Sequence, residues 1–184
     1  MSQTASPRVV LHVGCGRKPL DSRFPASQWR EIRLDINPAV KPDVVASITD
    51  MKPVATSSVD AVWSSHNVEH LFAHEVPLAL GEFLRVLKPD GFLLITMPDL
   101  QEIARHVADG KLEETLYESP AGPVSPIDIL YGHRPSIARG DVYMAHKTGF
   151  TAATLLQKLG DAGFRDAEVQ VDRPSFSLWA KAFK

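Results

Sequence analysis

The sequence predicts an open α/β sheet, mostly parallel, and three observations carry that prediction. An apolar, β-branched run, Val9-Val10-Leu11-His12-Val13, stops at Gly14-Cys15-Gly16. A buried parallel strand looks like this when it delivers main chain to a small ligand. Asp35 follows 19 residues after Gly16, at the end of a second, alternating run. Beyond it, strand-like and helix-like periodicities alternate instead of separating into blocks.

The elements follow in order. Residues 8–13 form the first strand. Residues 17–29 carry Pro19 and Pro25 and no helical period, so a loop or short turn is expected where many α/β chains place their first helix. Residues 30–36 read as the second strand. Asn37-Pro38 and Lys41-Pro42 punctuate the chain before a short third strand at 43–48. That connection is shorter than the dozen or more residues a parallel crossover usually takes. Residues 59–64 form the fourth strand. Val76, Leu80, Phe83, Leu84 and Leu87 lie on one face of a helix, which Lys88-Pro89-Asp90-Gly91 stops and turns. The fifth strand, 92–97, is apolar enough to be buried on both faces. Asp99 with Glu102 forms a capping box for a helix to Ala108.

The pattern then breaks. Residues 109–148 carry Pro120, Pro123, Pro126 and Pro135 among scattered aromatics and histidines, and read as a lid or substrate-loop insertion. Order returns with Thr151 as an N-cap, followed by a helix bearing Leu155, Leu156, Leu159 and Ala162 and ended by Gly163. Two closing strands, 164–171 and 176–183, make an edge hairpin.

Bulk properties set the outer bounds. The chain has 184 residues, 44% hydrophobic and 23% charged, which fits one domain with a full core. A net charge of −2 leaves no electrostatic footprint for nonspecific nucleic-acid binding, and leaves a local basic patch open. One cysteine excludes an intramolecular disulfide framework and a Cys-rich metal cluster. Residues 1–7 read as a flexible polar tail without the apolar stretch of a signal peptide. No run approaches the roughly 20 apolar residues of a membrane span. The cytoplasm is the expected location, and oligomeric state is not legible.

Ligands in open α/β sheets bind at the carboxyl ends of the strands. That rule selects Gly14, Cys15 and Gly16, Asp35 with Ile36, Thr49-Asp50-Met51, residues 65–70 and Pro98-Asp99. A carboxylate placed as Asp35 is can accept hydrogen bonds from both hydroxyls of a ribose. The third glycine of a dinucleotide fingerprint is replaced by Pro19. This favours a nucleoside-containing ligand without phosphates over NAD.

Gly14-Cys15-Gly16, Asp35, Ile48-Thr49-Asp50-Met51, Val68-Glu69-His70-Leu71 and the run from Leu84 to Ile95 resemble, in order, the motifs of class I S-adenosylmethionine-dependent methyltransferases. The nearest likeness is to the small methyltransferase type 11 group. The resemblance covers about residues 9–98, with a looser match from Lys147 onward. It implies a Rossmann-like sheet of about seven strands with an antiparallel last strand, here with reduced first helices. It implies S-adenosyl-L-methionine as cofactor, with Gly14 and Gly16 passing the methionine part and Asp35 holding the ribose. Asp50 would face the adenine amino group, Met51 would pack on the ring, and Asn67 would line the sulfonium and acceptor. With the first helix shortened, Arg17 or Lys18 is expected at the methionine carboxylate.

Methyl transfer from a sulfonium needs positioning and desolvation, and a hydroxyl acceptor also needs a base. His66, His70, His133 and His146 are the candidate catalytic residues. His66-Asn67-Val68-Glu69-His70 also spells H-x-x-E-H, an inverted zinc-protease pattern. The methyltransferase reading already accounts for its position after a central strand, so no metal is expected. Two function classes remain: methyl transfer to a small-molecule or glycan-type acceptor, and a non-catalytic module that binds S-adenosylmethionine or a nucleoside.

Overall fold

The computed structural model describes residues 6–184, so residues 1–5 of the expected tail lie outside the described residues. The described residues form nine strands and five helices. Strands β1 (Arg8–Val13), β2 (Trp29–Asp35), β3 (Val44–Val45), β4 (Val59–Ser65), β5 (Leu87–Pro98), β8 (Arg165–Asp172) and β9 (Ser177–Phe183) make one sheet, with β6 (Tyr117–Ser119) and β7 (Gly122–Val124) a separate small hairpin. The seven-stranded order is β3-β2-β1-β4-β5-β9-β8. Pairs from β3 to β5 are parallel, and β9 is antiparallel to both β5 and β8. The sheet is therefore of the expected Rossmann-like kind.

Helix α1 (Val76–Val86) buries Val76, Ala79, Leu80, Phe83 and Val86. Together with α5 (Ala152–Asp161), which buries Leu155 and Leu159, it covers one face of the sheet. Val62, Leu93, Ile95 and Ala180 meet them from the strands. The opposite face differs. Residues 14–28 form turns and no helix, and Phe24 with Leu20 packs against Val10, Trp29, Ala61 and Trp63. Phe24 stacks on Phe92 at 6.2 Å and meets Trp29 edge-on at 5.1 Å, so a few rings do the covering that a helix would do.

Several boundaries differ from the sequence reading. The short link between β2 and β3 is possible because β3 is only two residues long at the sheet edge, reached through a single 3-10 turn, Pro38–Val40. Lys88 to Gly91 do not turn the chain away but begin β5, where Lys88 pairs with Asp60 at 2.8 Å. Asp99 caps α2 (Leu100–Ala108) by accepting from the Gln101 amide, while Glu102 pairs with Arg105 and completes no box. Residues 109–148 are not irregular. They hold the β6–β7 hairpin, α3 (Pro126–Tyr131), α4 (Arg134–Ala138) and a 3-10 turn, Val142–Met144. Ser125 and Asp128 cap α3 reciprocally, and Arg134 closes on Asp128 at 2.8 Å. Local polar pairs of this kind leave no hydrophobic period to read. Among the described residues no helix is long and apolar enough to cross a membrane.

Candidate functional site

At the carboxyl end of β1 the chain passes through two left-handed glycines, Gly14 (φ 58°) and Gly16 (φ 49°). A Cβ on Gly14 would stand 2.4 Å from Asn67 Cγ, so only glycine lets β1 end this close to the loop after β4. A Cβ on Gly16 would meet nothing within 4 Å. Gly16 N donates to Asp35 Oδ2 and Asn37 N to Asp35 Oδ1, each at 2.8 Å. The buried Asp35 carboxylate is thus fixed by its own neighbourhood, with two of its roughly four lone-pair sites still available.

Arg33 does the work of the missing helix. Its guanidinium donates to the carbonyls of Gly16 (2.8 Å) and Lys18 (3.1 Å) and pairs with Glu31. Glu31 in turn meets the buried His12 at 2.7 Å. Burial pushes the His12 imidazole down, and Glu31 only partly offsets this. Nothing in the spacing of β2 marks Arg33 as functional, because its partners are main-chain oxygens.

The glycine turn, Asp35 and the loop after β4 enclose a cavity of about 350 Å³, within the usual size range of small-ligand sites. Ile36, Val40, Ala46 and Ile48 supply apolar wall, and Tyr143 and Met144 also line the cavity.

Of the nine expected cofactor residues, Gly14, Gly16, Asp35, Ile36 and Asn67 line this cavity. Cys15, Thr49, Asp50 and Met51 do not. Cys15 faces the interior, where burial pushes its thiol up. Thr49 is tied to Ser47 at 2.8 Å. Asp50 points outward and pairs with Lys52 at 2.9 Å. Met51 is fully buried in the main core. The cause is α1. Glu82 accepts from Met51 N (2.6 Å), and Arg85 donates to the carbonyls of Met51 (3.0 Å) and Val54 (2.9 Å), drawing this stretch beneath the helix. Ser47 and Ile48 line the cavity instead. The strand-end rule would have found them had β3 been ended at Val45. Arg17 and Lys18 are exposed and do not line it either.

The loop after β4 is built from strained and buried polar groups. His66 adopts a left-handed conformation (φ 47°), costly for a side chain with Cβ. Asn67 Nδ2 is buried without a hydrogen-bond partner among the described residues. The chain then makes one 3-10 turn, Val68–His70, rather than the helix the H-x-x-E-H pattern would need. Glu69 is 1% exposed, and neither carboxylate oxygen has a hydrogen-bond partner among the described residues. His66 Nδ1 comes within 3.4 Å of Glu69 Oε1 without completing a hydrogen bond.

His70 and His146 meet edge-on, with ring centroids 4.8 Å apart. Their Nδ1 atoms face the carbonyls of Ala145 (3.1 Å) and Ile129 (2.7 Å) respectively. Burial pushes the Glu69 carboxyl up, but the surrounding imidazoles of His66, His70 and His146 outweigh it and hold it below its ordinary value. Burial pushes the His146 imidazole down despite the pull of Glu69. Of the four histidines expected to be catalytic, His66 and His70 line the cavity and His146 backs His70. His133 does not join them. It occupies the N-cap position of α4, with Nδ1 on Ser136 Oγ at 2.8 Å.

Residues 11–95 match the model of a family described as methyltransferase domain. No curated protein matches the chain. A crystal structure of an S-adenosylmethionine-dependent methyltransferase from Archaeoglobus fulgidus is similar at 19% identity and TM-score 0.59, covering 97% of this chain and 86% of that one. A 1,6-didemethyltoxoflavin N1-methyltransferase from Burkholderia thailandensis, solved with that substrate and S-adenosylhomocysteine, is similar at 18% identity and TM-score 0.59, covering 97% and 71%. A Pyrococcus horikoshii protein is similar at 13% identity and TM-score 0.64, covering 98% and 84%.

Proposed function

We propose that this chain is a class I S-adenosylmethionine-dependent methyltransferase and that it methylates a small-molecule or glycan-type acceptor in the cavity between the glycine turn and residues 109–148. One observation carries the assignment of the cavity. Asp35 stands over Gly14-Cys15-Gly16, oriented by two main-chain amides and with lone pairs left for a ribose diol. Gly14 and Gly16 would let the methionine portion approach the backbone, and Ile36, Val40, Ala46 and Ile48 would wall the adenine. Bound there, S-adenosylmethionine supplies an electrophilic methyl group on a sulfonium.

The chain's own residues do the rest. The insertion carrying Tyr143 and Met144 acts as a lid that excludes water from the cavity. His66, exposed on the cavity wall beside Glu69, takes the proton of a hydroxyl or protonated amine acceptor. The exposed aromatic face of Tyr143 on the cavity wall supports an acceptor with a sugar-like apolar face. The absence of a basic excess supports neither RNA nor DNA as acceptor.

Calorimetric titration with S-adenosylmethionine and S-adenosylhomocysteine tests the cavity assignment. The expected result is micromolar binding that Asp35→Ala abolishes; unchanged binding in that variant overturns it. Tritiated-methyl transfer to a metabolite pool then tests activity. Tight binding with no transfer favours the accessory-module reading. His66→Gln is expected to lower kcat while leaving S-adenosylhomocysteine affinity unaltered.

A further inference from the structure

We propose that Glu69, His70 and His146 form a binding site for one divalent transition-metal ion of the zinc class, joining the loop after β4 to the end of the insertion. Their potential donor atoms all lie within 4.8 Å of one another. The binding proposal does not depend on the methyl-transfer reading.

The first support is an imbalance of donors and acceptors. Both oxygens of Glu69 are buried and unpartnered among the described residues. A carboxylate in that position is strongly disfavoured unless a positive centre faces it. The imidazoles beside it are fixed in a revealing way. His70 Nδ1 faces the Ala145 carbonyl and His146 Nδ1 the Ile129 carbonyl. A carbonyl oxygen only accepts, so in each neutral ring Nδ1 carries the hydrogen and Nε2 keeps the lone pair. A carboxylate and two imidazole lone pairs therefore share one small volume, and His66 Nδ1, 3.4 Å from Glu69 Oε1, approaches the carboxylate without completing a hydrogen bond. Metal-ligating histidines are typically held in this manner, by a second-nitrogen hydrogen bond to a backbone carbonyl that sets tautomer and ring direction.

The ligand set selects the class of ion. Two imidazoles and one carboxylate suit zinc and its first-row neighbours, and disfavour calcium or magnesium, which take oxygen ligands. A tetrahedral site with bonds near 2.1 Å sets donors about 3.4 Å apart. The widest present separation would contract by a little over 1 Å, within the reach of side-chain rotation. Three protein ligands leave a fourth position, and His70 lies on the cavity wall. The site thus stands at the cavity's edge. The pairing differs from the one the H-x-x-E-H pattern suggests: His66 and His70 are not the pair, because the 3-10 turn replaces a helix and His146 arrives from 76 positions downstream of His70. Main-chain bonds already bring the segments together, since Glu69 O accepts from Lys147 N (2.9 Å) and Thr148 N (3.2 Å).

The full chain, stripped with chelator and dialysed, is titrated with zinc chloride. Binding of one equivalent is expected, with at least about 100-fold loss of affinity in His146→Ala and in Glu69→Gln. His133→Ala serves as the outside control and keeps the wild-type affinity. Cobalt substitution is expected to give a visible absorption band of a low-symmetry nitrogen–oxygen site. Nitrogen-15 histidine spectra of the wild-type chain supply a readout that needs no variant: zinc shifts Nε2 of His70 and His146 while both Nδ1–H signals persist. Less than a tenth of an equivalent of zinc in the wild type, or equal affinity in His146→Ala, overturns the proposal and leaves a shared proton as the positive centre. Asp35→Ala is expected to lose S-adenosylhomocysteine and keep zinc, which separates this site from the cofactor assignment.

Discussion

Replacing the two glycines of the β1 turn separately divides their roles. Both have positive φ, so an alanine at either position carries about 1–2 kcal/mol of left-handed strain. At Gly14 the new methyl would also stand 2.4 Å from Asn67 Cγ and 2.6 Å from its Oδ1, and the half-buried side chain of Asn67 must move. Overpacking of that kind adds about 1–3 kcal/mol. Gly14→Ala is therefore expected to cost about 2–5 kcal/mol and Gly16→Ala about 1–2 kcal/mol. For a chain of this size each kcal/mol lowers Tm by about 2–4 °C. Calorimetric unfolding measures the first quantity. Titration with S-adenosylhomocysteine measures the second, and there the order reverses in meaning. The Gly16 methyl meets no protein atom but stands on the cavity wall, so its affinity loss should exceed its stability loss, at roughly thirtyfold or more. Equal destabilisation by the two substitutions would refute the Asn67 wedge. Wild-type affinity in Gly16→Ala would refute the close passage of the ligand over the turn.

Two further outcomes follow from the polar ties around the site. Arg33→Ala removes the donors to the Gly16 and Lys18 carbonyls; a loss of about 1–3 kcal/mol in urea unfolding is expected, together with weaker S-adenosylhomocysteine binding, whereas Arg17→Ala should change neither. Asp128→Asn weakens the cap and the Arg134 closure, and hydrogen exchange should show faster opening of residues 126–134 at neutral pH. Burial pushes the Asp128 carboxyl up, but Arg134 and Ser125 outweigh it and hold it well below the usual carboxylate range. Its contribution is thus complete above the unfolded value near 3.9 and is lost only as pH falls through the lower folded value. Protection of this segment in the wild type should persist to about pH 4, with Asp128→Asn showing a flat and lower profile.

Much of the sheet was legible because strands announce themselves locally. The runs at Arg8–Val13 and Val59–Ser65 are long, apolar and bounded, and their ends carry the glycine turn and the histidine loop. Asp35 was legible for the same reason: it is the last residue of β2, and its place over Gly16 follows from parallel pairing with β1. The third strand was overextended, because Ala46-Ser47-Ile48 continue an extended pattern after the two paired residues, and that moved the expected strand-end residues to Thr49-Asp50-Met51, whereas Ser47 and Ile48 line the cavity. The insertion was illegible as structure, since proline-started helices of five and six residues, closed by Asp128 and Arg134, have no apolar period.

The sequence by itself determined which segments become buried strands and helices, and that a glycine turn and an acid stand at neighbouring strand ends. These depend on spacings of one, two or four residues along the chain, where pleat and helical turn act. Only the tertiary structure decided which distant side chains meet. Arg33 closes on the carbonyls of Gly16 and Lys18, α1 draws Met51 away from the cavity, and His146 rather than His66 comes to rest against His70. Each of those contacts is set by how whole elements pack and by where the chain returns, a quantity with no local period to carry it.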